Sequence, residues 1–312
     1  MAPTVNDSPG ARLGVVVGVD GSRTALDAVR WAAVEAQLRG LPLQILHAAP
    51  YTADHTRPGL RRAHDILARA FTVARRTHPE LPVATNRTED TPVCSLLDVA
   101  ERAELLVLGM SGGERFPEAF VHSVVLDVCG RAPCPVVVVR GASTRRTGDT
   151  VVGVDSPRVD AAALEAAFTD AKRHGSRVVV VHALHGAGPF RDHITGHEQS
   201  AHDAALARLS DQMAPLTSRY SDVEVQLQVI HEQPVAALFG VAVAARLLVL
   251  GTRSRGAAAR ALFGSTSHEV LRCCPVPVMV VNPVAAGDAA VLASTSTVTR
   301  DERNPHDRSE LW

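Results

Sequence analysis

Charge of one sign is the first thing this chain lacks. Its 32 basic and 33 acidic residues leave a formal net charge of −1 at pH 7, so no global field draws it to nucleic acid or to an anionic membrane. Lysine is nearly absent: Lys172 is the single one among the basic residues. That arginine bias reads as an effect of coding composition and implies no function. Long hydrophobic runs are missing too. The longest apolar stretch, 235–245, is too short to span a bilayer and stops at Arg246. The opening MAPTVNDSPG has no basic segment followed by an apolar core. It does not read as a secretory signal, and the cytoplasm is the expected compartment. The five cysteines (Cys94, Cys129, Cys134, Cys273 and Cys274) contain no CxxC pair, which favours buried thiols over redox or metal chemistry. Walker A, GxGxxG and HExxH signatures do not occur.

What the chain does have, it has twice. VVVGVD at 15–20 returns as VVGVD at 151–155, ILHA at 45–48 as VVHA at 180–183, and LLVLG at 105–109 as LLVLG at 247–251. Asp20 and Asp155 lie 135 positions apart, as do His47 and His182. Gly109 and Gly251 lie 142 apart, as do Ser123 and Ser265. The offset grows by seven once, between the second strand and LLVLG. Spacing and identity agree together, so a duplicated domain is the reading, not a solenoid unit. A chain of 312 residues has room for two domains, each with its own core.

The expected organisation is a disordered 1–11, a first domain at 12–141, a polar linker at 142–149, a second domain at 150–282 and a disordered tail at 283–312. Continuous apolar runs such as 13–19 read as strands buried on both faces, and Ala25, Val29, Ala32, Ala33 and Ala36 have helical spacing. Helices are also predicted at 57–77, 93–103 and 123–130, with strands at 43–48, 83–87, 105–109 and 134–140. The second copy repeats the pattern. Strand–helix alternation gives an α/β fold with a doubly wound parallel sheet in each copy. The fifth strands, PVVVV at 135–139 and PVMVV at 277–281, are apolar on both faces. An edge strand of that kind is avoided in nature. The two are therefore expected to pair with each other, as an intramolecular pseudo-dimer, the alternative being that each edge is capped by its own helix or by another molecule.

In open parallel sheets ligands bind beyond the carboxyl ends of the strands. Those ends carry Gly18, Val19, Asp20, His47, Ala48 and Gly109 in the first copy, and Gly153, Val154, Asp155, His182, Ala183 and Gly251 in the second. After Gly109 come Ser111, Gly112 and Gly113, with nine positions (113–121) between Gly112 and His122, then Ser123. After Gly251 come Thr252, Arg253, Ser254 and Gly256, then Gly264, Ser265, Thr266 and Ser267. Small residues leading into a helix N-terminus suit a phosphate.

This spacing resembles the G-2x-G-9x-G-(S/T) signature of the ATP-binding universal stress proteins, and VGVDGS and LHA match that family in place. The resemblance covers roughly 12–141 and 150–282. It implies five-stranded parallel sheets of order 3-2-1-4-5, of the adenine nucleotide alpha hydrolase-like kind. It implies Asp20 and Asp155 on the nucleoside, the backbone near Ala48 and Ala183 on adenine, and the glycine-rich loops with the Ser123–Val124 and Ser265 helix starts on the phosphates. The implied ligand is ATP, with or without magnesium, and the implied role is that of a stress-response regulator and not an enzyme. A homodimer is allowed, and the regulatory protein partner is not identified. A nucleotide-free interaction scaffold and an enzyme acting on an adenylated substrate stay open as alternatives, as does slow ATP hydrolysis. Asp20 has a structural alternative as a helix cap beside Ser22.

The copies depart from the signature unequally. His122 stands where the first copy should have glycine, and Ser254 replaces the middle glycine of the second. The segment 109–123 holds Glu114, Arg115 and Glu118, net −1, whereas 251–265 holds Arg253, Arg255 and Arg260, net +3. The second copy is expected to bind a triphosphate better. His193, His197 and His202 lack a consistent i, i+4 geometry, so no metal site is expected from them. His47 and His182 read as satisfied within the structure. No second carboxylate is expected near the strand-end aspartates.

Overall fold

The computed structural model describes residues 12–50, 57–110, 118–141, 147–157, 160–184, 196–252 and 265–283; for 57–58, 118–123 and 196–198 the description covers the backbone alone. The expected N-terminal segment, most of the linker and nearly all of the tail fall outside these residues.

The first copy comprises β1 (Gly14–Gly18), α1 (Arg23–Arg39), β2 (Leu43–Ala48), α2 (Arg57–Thr77), β3 (Val83–Thr88), α3 (Pro92–Ala100), β4 (Ala103–Gly109), α4 (Glu118–Arg131) and β5 (Val136–Val139). The second comprises β6 (Thr150–Val154), α5 (Ala161–His174), β7 (Val178–Ala183), α6 (Gly196–Arg219), β8 (Val225–Ile230), α7 (Pro234–Ala242), β9 (Leu247–Gly251), α8 (Ser265–Cys273) and β10 (Val278–Val281). Among the described residues they build one ten-stranded sheet, ordered β3-β2-β1-β4-β5-β10-β9-β6-β7-β8. Read outward from the middle, each half has the order 5-4-1-2-3, as expected.

Valine and leucine build this sheet because each central strand is covered on both faces. Val15, Val17, Leu105, Val107, Val137 and Val139 face α1 and α2, and they join the corresponding side chains of the second copy in one continuous core layer. Val16, Leu106, Leu108, Val136 and Val138 face the other way, toward α3 and α4, again continuous with the second copy. The buried face of α1 is alanine (Ala25, Ala28, Ala32, Ala33 and Ala36), which lets the helix lie close on the strands. Ala63 and Ala205, both buried, are 142 positions apart, so the seven-residue offset arises in the segment before α6.

The fifth strands pair with each other, as expected. β10 runs antiparallel to β5, with Val278 opposite Val138 and Val280 opposite Val136; every other pairing in the sheet is parallel. The carboxyl ends of the two sets of strands therefore face opposite rims. Next to the ladder the copies cap each other's helices. Arg140 donates to the Leu271 carbonyl near the end of α8, and Asn282 donates to the Cys129 and Ala132 carbonyls at the end of α4. Arg140 and Asn282 are equivalent positions, 142 apart, doing one job with different side chains.

On the opposite face, between α1 and α5, a buried ionic cluster joins the copies. Glu35 on α1 receives Arg39 at 2.8 Å and, across the pseudo-dyad, His174 of α5 at 2.9 Å. Arg246 pairs with Asp170 and lies 3.8 Å from Glu35. Thr150 Oγ1 donates to Asp170 at 3.0 Å. Glu35 and Asp170 are equivalent, as are Arg39 and His174, 135 apart in each case. The donor atoms of Glu35, Asp170 and His174 lie within 4.8 Å of one another, yet the Arg246 guanidinium is already the cation there. Burial raises the Glu35 carboxyl, but the His174 hydrogen bond and the charges of Arg39, His174 and Arg246 outweigh it and hold the group below its ordinary value. Burial depresses Arg246 to about 10.

Candidate functional site

At the first rim, β1 ends on Gly18 and buried Val19, and the exposed Asp20 follows. Asp20 Oδ1 accepts the Ser22 amide at 2.9 Å. Ser22 is the N-cap of α1, its Oγ accepting the Ala25 amide at 3.1 Å. The cap belongs to Ser22, so the Asp20 carboxylate remains at the exposed strand end and braces the turn with one oxygen. His47, at the end of β2, bonds through Nδ1 to the Val19 carbonyl at 2.7 Å. His182 does the same to Val154 at 3.1 Å. Both histidines are internal struts that fix the first strand end against the second, as the sequence suggested. Ala48 and Ala183 end their strands beside them.

Gly109 closes β4 and must be glycine. A Cβ there would lie 2.6 Å from the backbone carbon and oxygen of Thr24, so α1 begins directly against the strand end. The second rim is built differently. A Cβ on Gly251 would lie 2.8 Å from Asp160 Oδ1. Asp160 is buried, and its Oδ2 accepts the amides of Asp155 at 2.8 Å and Ser156 at 3.1 Å. Its equivalent 135 positions earlier is Ala25, an ordinary residue inside α1. In the second copy the helix starts later, at Ala161, and a carboxylate fills the space of its missing first turn. This corrects the expectation of a lone aspartate at each rim: Asp155 has Asp160 beside it. The sequence signal was Pro157, which with Asp160 marks a delayed helix start.

A second correction concerns the phosphate end. α4 begins at Glu118 and not at Ser123. His122, Ser123 and Val124 thus lie inside a helix, where the Ser123 amide is committed to the helical ladder and is not a free N-terminal donor. α8 begins at Ser265, as expected. Ser265 is exposed, Thr266 half-buried and Ser267 buried, so the first-turn amides of α8 stand at the second rim. Thr252 follows Gly251 with its amide on the Val281 carbonyl at 3.0 Å and its hydroxyl on Asn282. Gly153 lies at the end of β6 against Leu238 and Leu250. Ser111, Gly112, Gly113, Arg253, Ser254, Gly256 and Gly264 lie outside the described residues.

The arrangement is two strand-end crevices in a doubly wound sheet, each with an aspartate after its first strand. The profile of the universal stress protein family matches residues 14–140 and 149–282.

The chain belongs to the universal stress protein family.

A universal stress protein of Mycobacterium tuberculosis is 30% identical over 290 residues, covering 87% of this chain and 98% of that protein. A universal stress protein from Archaeoglobus fulgidus has the same fold, with a TM-score of 0.64 at 17% identity over 86% of this chain and 96% of its own. Another protein of the family from that organism, solved in complex with dAMP, is 27% identical with a TM-score of 0.35, over 41% of this chain and 97% of its own. The relatives of this size carry the family's domain in tandem, as this chain does. Among the described residues no helix is long and apolar enough to cross a membrane.

Proposed function

We propose that this chain is a cytoplasmic stress-response regulator that binds ATP, with or without magnesium, at the carboxyl rim of its second copy and less well at the first. The observation that carries the preference is the unequal start of the helix after the glycine-rich segment. The α8 amides at Ser265–Ser267 stand at the rim with the partial positive charge of a helix N-terminus behind them. In the first copy the corresponding Ser123 amide is inside α4. Asp155 and Asp20 would hold the nucleoside, the backbone beside Ala183 and Ala48 the base, and Thr252, Arg253, Ser254, Gly256 and Gly264 the phosphates of the better site. Binding would act by shifting the populations of conformations that a protein partner distinguishes.

Titration calorimetry with ATP tests this. Asp155→Ala should weaken the main binding event on the order of tenfold or more, and Asp20→Ala should leave it nearly intact. Equal losses from the two variants would defeat the preference, and no heat from the unmodified chain at about 1 mM ATP would defeat the reading. A nucleotide-free scaffold is the second reading. Asp160 favours it, because a buried carboxylate under Gly251 repels a polyphosphate. Mass spectrometry of ligand released from the purified chain separates the two.

A further inference from the structure

The second copy carries an imidazole pair that the first lacks. His202 lies in the first turns of α6 and His231 directly follows β8. Nδ1 of His202 is 3.3 Å from Nε2 of His231, with ring centroids 5.4 Å apart and planes inclined by 22°. The centroid separation exceeds the N···N distance by a little less than two ring radii, so the rings approach through their nitrogens and not face to face. Both are partly buried, so neither is a freely waving surface side chain. Their placement comes from the sheet. Ile230 pairs with Ala183 and its carbonyl takes the Leu184 amide at 2.8 Å, which pins His231 to the second rim, one strand outward from Ala183. α6 packs over β8 and brings His202 down onto it.

We infer that His202 and His231 form a binding site for a divalent transition-metal ion that prefers imidazole, zinc being the natural member of that class. Two nitrogens each 2.0–2.1 Å from a tetrahedral zinc stand about 3.4 Å apart, so the pair is already at the bite of the ion. Water completes the coordination sphere, which makes this an open site and not a structural one. At the equivalent positions, 142 earlier, the first copy has Leu60 and Glu89, so the site belongs to one copy. The spacing of His193, His197 and His202 could not reveal it, because the second ligand comes from 29 residues downstream. The site does not depend on nucleotide binding at either rim.

The test uses the full chain, stripped of metal and free of nucleotide, titrated with zinc against a chromophoric chelator and separately with cobalt(II). A zinc site is expected whose affinity falls on the order of tenfold or more in both His202→Ala and His231→Ala, with the cobalt d–d absorption lost in each. Thermal melts without metal should match the unmodified chain for His231→Ala, which changes a residue beyond a strand end. That variant decides the matter even if His202→Ala folds poorly. Absence of zinc binding at about 1 mM, or equal binding by His231→Ala, overturns the proposal. The pair is then a simple N–H···N hydrogen bond.

Discussion

The two rims of the sheet started from the same sequence and have been finished differently. At the first, α1 begins early and presses its backbone onto Gly109, with Ser22 as an ordinary cap. At the second, α5 begins late and Asp160 takes the place of the lost turn beneath Gly251. The helix after the glycine-rich segment changes in the opposite sense: long in the first copy, starting at Glu118, and short in the second, starting at Ser265. Helix starts are where backbone amides are available to an anion. Duplication has kept the strands and redistributed those amides, which is the cheapest way for two copies of one fold to diverge in what they hold.

The largest expected effect that sharpens this contrast is at the inter-copy cluster. Arg246→Ala removes the guanidinium paired with the buried Asp170 and should cost about 3–5 kcal/mol in urea unfolding. The equivalent residue of the first copy, Glu104, is exposed, and Glu104→Ala should stay within about 0.5 kcal/mol. Similar costs would mean that the cluster is symmetric in energy if not in chemistry. Next comes Gly109→Ala, which forces a methyl onto the Thr24 backbone and should cost about 1–3 kcal/mol. Gly251→Ala meets a side-chain oxygen instead, and its smaller cost should shrink further in the Gly251→Ala, Asp160→Ala double variant. Asp160→Asn retains an acceptor for the Asp155 and Ser156 amides while removing the charge. It should tighten ATP binding at the second rim several-fold by calorimetry, and an unchanged affinity would place the phosphates away from Gly251.

The smallest effect is the acid limb of the stability curve. The Glu35 carboxyl is lower in the folded chain than in the unfolded one. Its contribution is therefore complete above the ordinary carboxylate value and fades as pH falls through the depressed folded value. Urea midpoints of Glu35→Gln should be displaced downward near neutrality and converge with those of the unmodified chain in acid. Parallel curves would show that Glu35 is not the group responsible.

Much of the architecture was legible because its signals are local and repeated. Strands such as VVVG and LLVLG read as buried on both faces, and α2 runs over 57–77 as predicted. The fifth-strand pairing followed from the cost of an apolar edge. The start of α4 differs from the expectation because that rested on matching His122-Ser123 to Gly264-Ser265, while Glu118 and Ala119, both good helix formers, begin the helix one turn earlier. Asp160 was missed because an aspartate at the first position of a predicted helix looks like any cap. The inter-copy cluster was invisible for a different reason. Glu35, Arg39, Asp170 and His174 read singly as solvated helix positions, and only a dyad that brings two equivalent faces together makes them buried. The histidine pair is likewise a tertiary fact, since His202 lies in α6 and His231 just beyond β8.

The antiparallel ladder of β5 and β10 has a consequence for how the molecule behaves at low abundance. Strands that meet between separate subunits come apart on dilution, and a cell holding few copies would hold mostly halves. Here a short tether, residues 140–149, keeps the partner strands at an effective concentration in the millimolar range or above. The double-length sheet consequently persists at any expression level, and the two rims always point away from each other on a single body.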